Sequence, residues 1–105
     1  MACDIGAPVL FGQSNAVLAR LIVPTAELVA LHADVQRICA PYLQPGPLPH
    51  SLPGHWTAHV TVARRIENAS VGAVLGVSGQ PAEIHGQLAA LRRWDGTERV
   101  EHPLC

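Results

Sequence analysis

Lysine is missing from this 105-residue chain: its seven basic side chains are all arginines, set against eight acids for a formal net charge of −1. So even a balance excludes a general electrostatic hold on duplex nucleic acid, and any nucleic-acid partner must be gripped locally. Cysteine is scarce. Cys3, Cys39 and Cys105 are odd in number and far apart, with no CxxC pair. That excludes a disulfide framework and points to a reduced, cytoplasmic setting. Long apolar runs are lacking too, because Arg20 and Pro24 interrupt Ala16–Ala19 and Leu21–Val23. No stretch is long enough for a bilayer span, so no membrane partner is expected. The opening Met-Ala-Cys-Asp has no basic region leading into an apolar run, so no signal peptide is expected.

What the chain does have is apolar mass. Hydrophobic residues make up 49% and charged residues 14%, which excludes a disordered polymer and predicts a core-rich globule with an apolar face left for a partner. The length suits one domain over residues 1–105.

Along the chain, Pro8–Phe11 reads as a short strand, Gly12–Asn15 as a polar turn, and Ala16–Val23 as a second strand completing a hairpin. Thr25 is placed to cap a helix over Ala26–Ala40, with Glu27 in its first turn. Leu28, Leu31, Val35 and Ile38 form its apolar stripe, and Pro41 stops it. Prolines 41, 45, 47, 49 and 53 with Gly46 and Gly54 make residues 41–54 a loop, either a binding loop or a stiff connector. Trp56–Arg64 reads as a third strand. Asn68 or Ser70 would cap a short helix to about Val77, weakened by Gly72 and Gly76. Ser78–Pro81 is a turn, Glu83–Trp94 a long strand, and Asp95-Gly96 a hairpin signal into Thr97–Leu104. The expected class is α+β: a small antiparallel sheet packed on one main helix, plus a short helix.

The chemically distinctive segment is His59-Val60-Thr61-Val62. On a strand His59 and Thr61 share a face, about 7 Å apart, while Val60 and Val62 are expected in the core. A histidine titrating near neutrality can then move a proton while the threonine hydroxyl holds an oxygen of the same group. The plain alternative is a surface histidine on an ordinary strand.

Trp56-Thr57-Ala58-His59-Val60-Thr61-Val62-Ala63-Arg64-Arg65 resembles the second histidine motif of the 2′-5′ RNA ligase-like family of 2H phosphoesterases. Upstream, Val9-Leu10-Phe11, Ala16-Val17-Leu18 and Val23 through His32 resemble that family's central strands and the helix before the motif. The resemblance implies one lobe of the 2H fold. It also implies metal-free, cofactor-free acid/base chemistry on a 2′,3′-cyclic phosphate or a 2′-5′ linkage in RNA or nucleotides. Carried over, His59 is a general acid/base and Thr61 a phosphate ligand. Arg65 is either a charge stabiliser or a solvated strand-end arginine. If the strand extends back, His55 and Thr57 share the His59 face and would contribute to substrate binding; otherwise His55 is a loop-end histidine near the cleft.

The departure is that the family pairs two histidines, one from each lobe, whereas the His-x-Thr upstream here, His55-Trp56-Thr57, is expected on the same strand as His59 and cannot approach one phosphate from the opposite side. Three explanations stay open: a missing N-terminal lobe, a homodimer pairing two copies of His59, or a relative that binds without catalysis. Among rival readings, His50, His55 and His59 would need a helix to act as a zinc set, and Pro49, Pro53 and Gly54 exclude one, so no metal is expected. Cys39 ends a helix, whereas reactive thiolates favour helix starts. From a different class, the chain would be a protein-interaction domain working through its apolar face or proline loop.

Overall fold

The computed structural model describes residues 1–12, 15–43, 46 and 49–104. It is an α+β fold. In chain order the elements are β1 (Ala2–Phe11), β2 (Ala16–Ile22), α1 (Ala26–Cys39), β3 (His59–Ile66), α2 (Val71–Ser78), β4 (Ile84–Gln87), β5 (Arg92–Asp95) and β6 (Val100–Pro103). Four strands form an antiparallel sheet in the order β3-β2-β1-β4, and β5 and β6 form a separate hairpin.

The β1–β2 pair is the expected hairpin, with positions 13–14 of its turn outside the described residues. β1 is longer than Pro8–Phe11 because a bulge between Ile5 and Pro8 absorbs an extra residue and lets pairing resume. Pro8 is tolerated because pairing with β4 runs only over Ala2–Ile5, so its missing N–H interrupts no ladder on that side.

β2 is central and carries the core, with Leu18 and Ala19 at 0% exposure. Arg20, which in the sequence only interrupts an apolar run, is buried as well. Its Nε donates to the Gly6 carbonyl at 2.8 Å and its Nη2 to the Ala82 carbonyl at 3.0 Å. A buried guanidinium is stable here because carbonyl oxygens replace its lost water.

α1 starts as expected: Thr25 Oγ1 accepts from the Leu28 N–H at 3.1 Å, and Glu27 and Arg37 complement the helix dipole. Its stripe is less covered than the spacing suggests, since Leu28 is buried while Leu31 and Ile38 stay exposed. Of the 41–54 loop, positions 44–45 and 47–48 lie outside the described residues, as does Cys105. The remainder includes single 3-10 turns at Ala40–Tyr42 and Pro49–Ser51.

Three expectations are corrected. The long strand Glu83–Trp94 is two strands: β4 joins the main sheet, then Leu88-Ala89-Ala90-Leu91 leaves it and β5 pairs with β6. Paired alanines are weak strand formers and mark the changeover. The short helix is entered through a 3-10 turn at Asn68–Ser70, and Ser70 makes no side-chain cap. The strand over Thr97–Leu104 shortens to Val100–Pro103, because Asp95 Oδ1 accepts from the Thr97 and Glu98 N–H groups at 3.0 Å and closes a turn over 96–99. These bonds, that from Glu98 first, hold the Asp95 carboxyl below its usual pKa.

Candidate functional site

β3 is an outer strand of the sheet, paired on its inner side with β2 through Leu21–His59, Arg20–Val60 and Ala19–Thr61. Register is unbroken from His59 to Thr61, so these two share a face with Leu21 and Ala19, as the alternation predicts. The Phe11 and His59 rings lie 4.8 Å apart between centroids. His59 itself is exposed.

Its orientation is fixed from below. His59 Nδ1 lies 2.7 Å from the Thr57 carbonyl oxygen. A carbonyl only accepts, so Nδ1 carries a proton, and in the neutral ring the lone pair is on Nε2. An imidazole held this way is set up as a base, with the Thr61 hydroxyl on the same face.

The other named residues fall differently. The strand begins at His59, not Trp56, so alternation does not carry His55 and Thr57 onto the His59 face. Thr57 acts through its backbone carbonyl, and the His55 N–H donates to the Leu52 carbonyl at 2.9 Å in the preceding turn. Arg65 is displaced by bulging. Two register breaks lie between Thr61 and Ile66, and Arg65 sits at φ 57°, so counting by twos from His59 does not place it. Val60 and Val62 are not core residues: Val62 is 53% exposed. Val62 instead lines an open cleft between β3 and α2.

Trp56, the aromatic residue before the histidine, stacks on His32 of α1 with centroids 3.8 Å apart and planes 3° from parallel. His32, which the sequence marks only as a helix flank, thus anchors the approach to β3. Beside this stack is an apolar cavity of about 470 Å³ lined by Leu28, Leu31, Trp56, Leu88 and Leu91, with His59 at its margin. Its walls come from segments far apart in sequence, and no local pattern announces it.

A second cluster was equally invisible in the sequence. The ligand atoms of Asp4, Glu83 and His85 lie within 4.8 Å of one another, brought together by β1–β4 pairing. His85 Nδ1 is 2.7 Å from Asp4 Oδ1, and that bond raises the His85 pKa above its ordinary value. The cluster is open to water and reads as a surface ion pair. No helix of the described residues is long and apolar enough to cross a membrane. Comparison with protein-family models, with curated proteins and with solved structures returns no match to this chain.

Proposed function

We propose that this chain carries half of a two-histidine phosphoester site, acting on a 2′,3′-cyclic phosphate or a 2′-5′ linkage in RNA or nucleotides. In this reading His59 Nε2 takes or returns the proton at the reacting oxygen, and the Thr61 hydroxyl donates to a phosphate oxygen. Arg65 adds positive charge at the strand end. His55 and Thr57 border the entrance, Thr57 by orienting His59. The chemistry needs no metal or cofactor and suits a reducing cytoplasmic setting. One observation carries it: the 2.7 Å bond from His59 Nδ1–H to the Thr57 carbonyl, which leaves Nε2 as the available base beside Thr61.

The second proton-transfer group must come from another lobe or from a second copy of the chain. The test is hydrolysis of 2′,3′-cyclic AMP by the purified chain and by His59→Ala, both with EDTA present. Turnover that survives the chelator and disappears in the variant is the expected result. Equal rates in the two proteins would sink the assignment of His59.

A second reading is favoured by a specific observation. The cleft between β3 and α2 is apolar and open, and Val62 and Val77, which line it, are both exposed. This supports a non-catalytic binding or dimerisation domain, in which His59→Ala leaves association untouched.

A further inference from the structure

We propose that a second copy of this chain covers the face formed by β3 and α2. The inference stands on area and surface chemistry, and holds whether or not His59 is catalytic.

Area comes first. A monomer of this 11.1 kDa mass exposes about 5,700 Å² of surface. This chain exposes 7738 Å², a surplus of about 2,000 Å² over that scaling. A standard interface covers about 800 Å² per partner, and an obligate one about 1,000–2,500 Å². The surplus is spread over the whole chain, and it is large enough to hold a self-interface of either size. The radius of gyration agrees: it is 15.2 Å, against about 13 Å for a compact chain of this length.

Chemistry then selects the face. The exposed apolar residues of α1 sit among Glu27, Asp34 and Arg37, and those of the β5–β6 hairpin among Arg92, Arg93, Glu98, Arg99 and Glu101. Between positions 68 and 82, by contrast, there is no charged residue. α2 reads Val-Gly-Ala-Val-Leu-Gly-Val-Ser, yet none of its residues is buried, and Val77 is 78% exposed. A helix that is apolar on all sides belongs inside a core. Its inner side faces β3 across an open apolar cleft of about 430 Å³ lined by Leu18, Val62, Ala63, Ala73, Val74 and Val77. Its outer side is bare as well: a Cβ built at Gly72 or Gly76 would meet nothing within 4 Å.

The occupant follows from what such a face cannot accept. A charged partner surface would strand its charges against α2, which has no charge from 68 to 82, at a cost of several kcal/mol per ion. An identical patch leaves none stranded. β3 also presents the outer edge of the sheet, whose backbone groups are satisfied by another strand edge. A copy related by a two-fold axis offers the same edge in the antiparallel sense, the self-complementary geometry of a C2 dimer.

The test is sedimentation equilibrium of the full chain and of Gly76→Glu at about 100 µM, well above the micromolar constants of the weaker standard interfaces. Glutamate is a better helix former than glycine, and space at position 76 is open in the single chain, so the variant retains its fold by far-UV circular dichroism. The wild type is expected at twice the 11.1 kDa chain mass. In Gly76→Glu the dissociation constant should rise by about 100-fold or more. Ile38→Glu, on the exposed flank of α1, should associate like the wild type. Hydrogen exchange of the wild type supplies a readout without mutation: amides of 60–65 and 71–78 should exchange faster on dilution. A wild type at chain mass, an unchanged Gly76→Glu dimer, or exchange independent of concentration each overturns the proposal.

Discussion

β2 and β3 lie side by side in one sheet, share a ladder, and use similar residues, yet they live in opposite environments. β2 has a strand on each side and chain over it, so Leu18 and Ala19 are fully buried and even Arg20 is dry. β3 has one neighbour, and from His59 to Arg65 no residue is buried. Alternation decides which residues share a face. Only coverage decides which face becomes a core, and coverage is a property of the whole assembly.

The largest effect should come from the covered strand. Leu18→Ala removes a fully buried side chain and should cost about 3 kcal/mol or more, read as the shift in urea midpoint. An unchanged midpoint would mean that the core lies elsewhere. Next is Arg20→Ala, which removes a buried guanidinium and its two bonds to the Gly6 and Ala82 carbonyls. About 2–3 kcal/mol should be lost, with Arg20→Lys recovering only part because it lacks the planar fork. On β3, Val60→Thr should move thermal stability by no more than about 0.5 kcal/mol in a dilute, unassociated chain. A loss as large as that of Leu18→Ala would erase the contrast between the strands.

The smallest effect is electrostatic. The folded His85 pKa is raised by Asp4, so its contribution is fully present below the unfolded value near 6.5 and fades as pH rises through the folded value. Thermal stability should therefore dip slightly between the acid side of 6.5 and mild alkali. The dip should vanish in His85→Ala, and a rise with pH that depends on His85 would reverse the sign argued for this pair.

Much of the framework was legible because its signals are local. Thr25 three residues before Leu28 marks a helix start, and the cap bond forms there. The apolar run broken at Arg20 is β2, and Asp95-Gly96 is the tip of a hairpin. At the candidate site, the shared face of His59 and Thr61 was readable from spacing. The displacement of Arg65 was not, because a bulge depends on how the partner strand twists. Nor was the Trp56–His32 stack, or the Asp4–His85 pair whose members lie 81 positions apart. The expectation that Val60 and Val62 would be buried failed because pattern carries no information about whether a strand is at an edge.

The Arg20 guanidinium has a consequence for how this molecule opens. It bonds at once to Gly6 in the sheet and to Ala82, just beyond α2, while Gly79 approaches the Pro8 ring close enough that a Cβ there would lie 3.6 Å from it. These are point attachments at the far end of a helix that buries none of its own residues. In a dissociated chain, residues 68–82 are therefore the segment expected to come away first from the strand ladder. Arg20 is its hinge pin, and in the dissociated chain the first protease cut is expected in the segment it releases.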